Sequence, residues 1–283
     1  MSPERAAEPS PVDGDALAEL ALGCLSAERD GTAEWPAGAA VAEWIRAQLA
    51  PDSLPGTVAT GTGGRFDVVA VSPPDVLLER REPGAGWVLR PIGSAEGTEL
   101  TDPSVRRWRG AVEPDSPAEP ARLPEDAAER LAVVDDIAVA AALVGVADRS
   151  LGLAVAHARE RTQFGRPIAS FQSVAHRLAD MYCAVELARS GVLLAAATGT
   201  ATDARLSRRL AVTTAPDVVI SAVHLHGAIG LTGEVAVHTA LRRALVLRAL
   251  PPHPDHVLDA LCGDLQDLAE RARRTTSIPG DQP

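Results

Sequence analysis

Residues 161–182 read RTQFGRPIASFQSVAHRLADMY, and this stretch decides the fold. Two long segments rich in Ala, Leu and Val flank its Gly-Arg-Pro break, at 125–161 and 170–199. Apolar segments separated by glycine and proline predict two helices joined by a tight turn. Gly165 allows the chain to reverse sharply. Arg161 places a guanidinium at that turn, where it can form two charge-assisted hydrogen bonds to a diphosphate.

The helical pattern returns three more times toward the C-terminus, over 203–226, 235–249 and 254–273. Five helices with short connections predict an antiparallel bundle. One of the connections, GAIGLTG at 227–233, is rich in glycine. Glycines of this kind let backbone N–H groups approach an anionic ligand, so this loop is a second candidate binding segment.

Upstream of the bundle the sequence changes character. Between 56 and 112, glycines and prolines separate short β-branched runs such as FDVVAV and GWVLRPI, which predict a small antiparallel sheet. Apolar residues at helical spacing in 15–30 and 36–50 predict at most two helices before it. The predicted organisation is a flexible tail over 1–14, a short helical segment over 15–55, a β domain over 56–112, a linker over 113–124, a helical bundle over 125–273 and a tail over 274–283.

Composition narrows the functional class. The chain has 283 residues, 46% of them hydrophobic, and a formal net charge of −11. An acidic chain is a poor candidate for binding nucleic acid, because phosphate contacts need clustered cations. The sequence has no apolar signal segment at its start, and its apolar runs are short for a membrane span, so we expect a cytoplasmic protein that does not bind membranes. Its cysteines and histidines lack metal-ligand spacing, and no metal site is predicted.

The quoted stretch resembles the C-terminal bundle of the acyl-CoA dehydrogenase family. In that family an Arg-x-x-Phe-Gly turn joins two helices and is followed by Phe-Gln and a Leu-Ala-Asp-Met run. This chain has the turn from Arg161 to Gly165, then Phe171-Gln172, then Leu-Ala-Asp-Met at 178–181. The segment VHLHGAIGLTGEVAVHTALRRA at 223–244 is similar to the family's Gln-x-x-Gly-Gly-x-Gly-Phe-Thr segment. The β region also looks like the family's middle domain.

The resemblance implies a mainly α fold with a small β domain: truncated N-terminal helices, an antiparallel β middle domain and a C-terminal helical bundle. It also implies FAD as cofactor, with the matching positions contacting the pyrophosphate and adenosine of a flavin bound by a neighbouring subunit. Those cofactor-binding positions are Arg161, Gln163, Phe164, Ile168, Phe171, Gln172, His224, Gly227, Ala228 and Gly230. His224 and Ala228 depart from the family's Gln and Gly, and a histidine replaces only part of an amide's hydrogen bonding.

A catalytic base is not evident. Family members remove the substrate α-proton with a Glu that commonly follows the Arg-rich helix, and Pro251 falls near that position here. Proline cannot act as a base. Other members place the base on the first long helix of the bundle, and the equivalent position falls near Asp135 or Asp136. We therefore assign no catalytic residue and keep these two carboxylates as weak candidates.

The family's flavin-holding middle-domain segments are missing too, and the chain contains no Lys at all. The chain thus keeps what it would lend to a partner's flavin and lacks what it would need for its own. The resemblance implies a non-catalytic subunit of a heteromeric acyl-CoA dehydrogenase, paired with a full-length subunit that carries the base, in a heterotetramer with shared FAD. The expected reaction forms a 2,3-enoyl-CoA from an acyl-CoA, by analogy a bulky one such as a steroid side-chain thioester.

Two alternatives remain open from the sequence. The chain could be a self-sufficient flavoenzyme that uses Asp135 or Asp136 as its base. It could also be a flavin-free helical scaffold or interaction subunit, although a scaffold has no use for a diphosphate-binding Arg161. Flavin in the chain purified alone would favour the first alternative, and absence of FAD from the complex would favour the second.

Overall fold

The computed structural model describes residues 14–30, 58–62, 65–70, 74–80, 87–112, 119–121, 127–250, 262–263 and 266. Its five long helices are α1 (Gly14–Asp30), α2 (Ala127–Glu160), α3 (Gln172–Thr198), α4 (Ala201–His226) and α5 (Ala236–Arg248). Two 3-10 turns, Ile168–Ser170 and Gly227–Leu231, precede α3 and follow α4. The helices predicted at 36–50 and, except for three residues, at 254–273 lie outside the described residues.

The helix α2 is the centre of the bundle. Every residue from 136 to 147 with a hydrophobic side chain is buried, and most of them are Ala or Val. Small side chains let neighbouring helices approach closely, and α1, α3, α4 and α5 all pack against α2. At Gly145 of α2 a Cβ atom would lie 2.5 Å from the Leu25 carbonyl oxygen of α1, so the two helices are in close contact there. The core therefore joins the N-terminal helix to the C-terminal bundle.

The described strands form one seven-stranded sheet and a small hairpin. The seven strands are β1 (Val58–Thr62), β2 (Arg65–Ala70), β3 (Val76–Arg80), β4 (Trp87–Pro91), β5 (Glu96–Glu99), β6 (Arg106–Ala111) and β7 (Glu119–Ala121). Their order is β5-β6-β2-β1-β3-β4-β7. The pairing of β1 with β3 is parallel, and the other described pairings in this sheet are antiparallel.

The strand β7 lies inside the stretch 113–124 that the sequence analysis assigned to a linker. It occupies an edge of the sheet, a position in which proline is tolerated. The mainly α fold with a small, largely antiparallel β domain is confirmed.

The helix α3 is long and apolar enough to cross a bilayer by length and composition. It packs against α1, α2 and α4, and 33% of its most apolar window is buried. This helix is a component of the bundle, and its outward face carries Leu187 and Leu194, both more than half exposed.

Candidate functional site

The connection between α2 and α3 is a tight hairpin. Its strands β8 (Thr162–Gln163) and β9 (Arg166–Pro167) pair antiparallel around Phe164 and Gly165. Both turn residues have left-handed backbone angles, with φ of 51° at Phe164 and 78° at Gly165. The Ile168 amide closes the hairpin by donating to the Arg161 carbonyl oxygen at 2.8 Å. The turn predicted from Gly165 is present, and glycine is the residue that adopts this geometry without strain.

The polar side chains and one aromatic ring of the hairpin are exposed to solvent. The side chains of Arg161, Gln163 and Gln172 are exposed, and Phe164 is 92% exposed. Arg161 has no ion-pair partner among the described residues. A large apolar ring held out on a non-glycine left-handed residue is unusual, since both exposure and backbone cost free energy. The hairpin therefore has the character of a surface that another molecule covers.

Two contacts brace the base of the hairpin. The Phe171 ring lies edge-on to Phe164 with ring centroids 6.1 Å apart. On its other side the Arg166 guanidinium carbon lies 4.3 Å from the Phe171 centroid, in a cation–π contact. Ile168 is half-buried beside them in the 3-10 turn. Sequence reasoning missed Arg166, although a cation five residues before an aromatic across a Gly-Arg-Pro turn is a usable signal.

The second candidate segment begins where α4 ends. His224, Gly227 and Ala228 are exposed, whereas Gly230 is buried. Gly227 has φ of 68°, so it ends the helix in a conformation that favours glycine. At Gly230 a Cβ atom would lie 2.7 Å from the Val223 carbonyl oxygen. Gly227 and Gly230 are thus required by the local structure. Close approach of a ligand, the role predicted for them from the sequence, is a separate use of the same residues.

The bundle brings the two segments to the same end. Because α2 and α4 run in the same direction, with α3 returning between them, both connections follow helix C-termini at that end. The rings of His157 and His226 stack there, with centroids 4.4 Å apart and planes at 25°. Arg161 follows the first histidine by one helical turn, and Gly227 follows the second directly. The sequence-predicted cofactor residues therefore lie at one end of the bundle, where Gly230 is buried and the others are exposed or half-buried.

The residues present fit the end of a dinucleotide. An exposed guanidinium and exposed amides can bind a diphosphate and a sugar, and an exposed aromatic ring can pack against a flat heterocycle. A groove of about 520 Å³ lies elsewhere, between α3 and α4, and its lining includes His176, Arg177, Asp180, Asp217 and Ser221. It contains none of the predicted cofactor residues. The two segments thus form an open surface rather than part of that groove.

The two weak candidates for the base, Asp135 and Asp136, both form an ion pair with the buried Arg208. The Arg208 guanidinium donates from Nη1 to Asp135 Oδ2 at 2.8 Å and to Asp136 Oδ1 at 3.0 Å, and from Nη2 to the Leu250 carbonyl oxygen at 3.0 Å. Arg208 is 1% exposed and Asp136 is 5% exposed. Burial raises the pKa of Asp136 to about 6, against the opposing effect of Arg208.

This arrangement is an ion pair between α2 and α4 that holds helices together. Neither carboxylate is free, because each accepts a hydrogen bond from the same buried cation. Sequence reasoning missed Arg208, one of 27 basic residues with nothing local to mark it. Pro251, which falls near the position of the family's catalytic Glu, lies outside the described residues.

Comparison with known proteins identifies the family of this chain. The family model for the acyl-CoA dehydrogenase C-terminal domain matches residues 130–250. The acyl-CoA dehydrogenase IpdE2 of Mycobacterium tuberculosis is 33% identical over 259 residues, which cover 91% of this chain and 73% of that relative. IpdE2 of Mycolicibacterium smegmatis is 42% identical over 106 residues, or 38% of this chain and 34% of the relative.

Solved structures share the fold. A variant of the Tcur3481-Tcur3483 steroid ACAD superposes with a TM-score of 0.73 at 24% identity and covers 93% of this chain and 85% of its own. The ChsE4-ChsE5 complex of Mycobacterium tuberculosis gives a TM-score of 0.66 at 21% identity, covering 96% and 85%. Butyryl-CoA dehydrogenase of Megasphaera elsdenii gives 0.61 at 22% identity, covering 77% and 67%.

Proposed function

This chain belongs to the acyl-CoA dehydrogenase family, and on that premise we propose that it is the shortened subunit of a heteromeric FAD-dependent acyl-CoA dehydrogenase. In this assembly it completes the flavin site of a full-length partner subunit. The observation that carries the proposal is the Arg161 hairpin, where a guanidinium without an ion-pair partner among the described residues lies beside the 92% exposed ring of Phe164. The exposed ring is costly to leave uncovered and the guanidinium can bind a diphosphate, so the two together suit a flavin dinucleotide held by another chain.

Each hairpin residue has a distinct task in this proposal. Arg161 binds the diphosphate, and Gln172 and His224 donate to the sugar and the adenine. Phe164 covers an apolar part of the site and excludes water, while Phe171 and Arg166 hold the hairpin in shape through their mutual contacts. When bound, FAD supplies the acceptor for the hydride that leaves the acyl-CoA as the 2,3-enoyl-CoA forms.

The partner subunit supplies the base. Asp135 and Asp136 are both hydrogen-bonded to the buried Arg208. A carboxylate that removes a substrate proton must reach the substrate, and breaking a buried ion pair costs several kcal/mol. These contacts support a structural role for the pair in this chain, and they support assigning proton abstraction to the other subunit.

The relatives support a heteromeric assembly and a bulky substrate. One structural neighbour is named the ChsE4-ChsE5 complex and another the Tcur3481-Tcur3483 steroid ACAD, and each has 85% of its chain covered by this one. We extend the proposal to an acyl-CoA with a steroid side-chain-like acyl group, used in the cytoplasm.

Flavin stoichiometry tests the proposal. The chain purified alone should be colourless, and the complex with its partner should carry about one FAD per two polypeptides, as a tetramer with two sites requires. Arg161→Ala should weaken FAD binding to the complex by about one to two decades, because charge-assisted hydrogen bonds contribute about 1.5–3 kcal/mol.

The matched control is Arg159→Ala, which removes an exposed guanidinium two residues earlier on α2. It should leave FAD binding within about twofold, since surface cations away from the site contribute little. One FAD per polypeptide, or equal FAD affinity in the Arg161→Ala and unaltered complexes, would show that this chain does not complete a partner's site.

A further inference from the structure

Two stacked histidines connect the segments of the candidate site. His157 lies on the last turn of α2 and His226 is the last residue of α4, and their ring centroids are 4.4 Å apart. The Arg161 amide donates to the His157 carbonyl oxygen at 2.9 Å. The residue assigned to the diphosphate therefore follows His157 by one helical turn.

The surroundings of His157 favour its neutral form. His226 is 9% exposed, and its Nδ1 lies 2.8 Å from the Ala222 carbonyl oxygen, so Nδ1 carries the proton and donates. Burial lowers the pKa of His157, and the neighbouring His226 and Arg161 lower it further, while Glu160 acts in the opposite direction. These groups come from α4, the hairpin and α2 itself. Two positive charges on stacked rings would repel each other and Arg161.

An anion on Arg161 removes one of the causes that keep the pKa of His157 low. A diphosphate there offsets the positive field of the guanidinium, and an opposite charge within a few ångströms favours the protonated form of an imidazole. Arginine cannot supply a pH response itself, since it stays charged throughout. Histidine is the side chain whose unperturbed pKa lies close to physiological pH.

We propose that the His157–His226 pair takes up a proton when the flavin diphosphate binds at Arg161, so that FAD affinity increases as the pH falls. This inference rests on the proposed function of the hairpin. By linkage, the affinity of a ligand that binds together with one proton rises by at most about tenfold for each unit decrease in pH. We expect FAD to bind roughly three- to tenfold more tightly at pH about 6 than at pH about 8, because the uptake is partial across that interval.

The experiment uses the flavin-free complex of this chain with its partner subunit, titrated with FAD between pH about 6 and about 8. Calorimetry in two buffers with different ionisation enthalpies counts the protons taken up, independently of turnover. His157→Phe keeps an aromatic ring in the stack but cannot take a proton, and His226→Gln and His157→Gln remove the titrating rings. His176→Gln, an exposed histidine on α3, is the matched control.

The inference expects proton uptake and a pH-dependent affinity in the unaltered complex and in His176→Gln. It expects both to vanish in His157→Phe, whose affinity at pH about 8 should stay close to that of the unaltered complex. A flat profile in the unaltered complex overturns the inference. So does a slope that persists in the His157 and His226 variants, or a uniform loss of affinity at every pH, which would indicate packing alone.

Arg161→Ala distinguishes a failure of the function proposed for the hairpin from a failure of the role proposed for the histidine pair. If that variant binds FAD as tightly as the unaltered complex, the function proposed for the hairpin is wrong. If it binds FAD weakly while the histidine variants keep their pH slope, the hairpin function stands and the role of the histidine pair is wrong.

Discussion

The Arg243 guanidinium on α5 donates from Nη1 to Glu28 Oε1 on α1 at 2.7 Å, across 215 residues of chain. Its Nε donates to Asp102, which is 0% exposed in the turn between β5 and β6, and its Nη2 donates to Ser104 Oγ at 2.7 Å. One buried cation thus joins the N-terminal helix, the β domain and the bundle. We call the four residues Arg243, Glu28, Asp102 and Ser104 the Arg243 cluster.

Removing the cation should destabilise the whole chain. Arg243→Met keeps the apolar length of the side chain but leaves two carboxylates buried without their partner, a change that typically costs about 3–5 kcal/mol. Urea unfolding followed by circular dichroism measures the loss. Arg242→Met is the matched control, because Arg242 is half-buried at the preceding position of α5, and it should change the free energy of unfolding by less than about 1 kcal/mol.

The Arg243 cluster also makes stability depend on pH. Burial raises the pKa of Glu28 from 4.5 to about 7, and Arg243 only partly opposes this. The folded chain therefore holds a proton that the unfolded chain releases, so the contribution of Glu28 to stability falls as the pH rises from 4.5 to about 7.

Glu28→Gln removes this titration. Its stability relative to the unaltered chain should increase across that interval, by at most about 1.4 kcal/mol per pH unit. Asp136 has a raised pKa as well and is present in both proteins, so the difference between the two unfolding curves isolates Glu28. A difference that is constant with pH would contradict the prediction.

Asp136→Asn separates a structural carboxylate from a catalytic one. Asparagine can still accept from Arg208, but the buried cation loses part of its charge compensation, so we expect destabilisation of about 1–3 kcal/mol. Turnover of the complex per bound flavin should stay within about twofold, since a base contributes about 10²–10⁴-fold and this residue is not assigned that role. Loss of turnover in a folded, flavin-loaded variant would show that this chain carries the base.

Sequence reasoning predicted the features of the fold that depend on residues close together in the chain. The turn at Gly165 and the end of α4 at Gly227 were predictable because glycine and proline interrupt apolar helical segments there. The cofactor role of their neighbours stays a prediction. The interactions that it missed join distant residues: Arg208 reaches Asp135 across 73 positions, and Arg243 reaches Asp102 across 141.

The amino-acid composition also made these contacts hard to predict. All the basic residues of the chain except its histidines are Arg, so neither of the two buried arginines differs in type from a solvated one. The strand β7 was missed for another reason. Its Pro120 and the prolines around it favour a linker, and only an unpaired edge at β4 turns three residues of that stretch into a strand.

The left-handed turn at Gly165 sets the shape of the hairpin. Gly165 has φ of 78°, and an added Cβ atom would meet nothing within 4 Å. Gly165→Ala therefore creates no clash, and its cost is the left-handed backbone alone, about 1 kcal/mol. Because the hairpin is exposed and far from the core, the chain can relax the turn rather than unfold. We expect a change of less than about 1 kcal/mol in the free energy of unfolding, and FAD affinity of the complex about fivefold lower as Arg161 and Phe164 lose their set positions. Gly93→Ala is the control, since Gly93, in the loop between β4 and β5, also has open space around it and no left-handed angle; its complex should bind FAD normally. Equal FAD affinity in the Gly165 and Gly93 variants, measured by flavin fluorescence, would show that the turn does not position the binding residues.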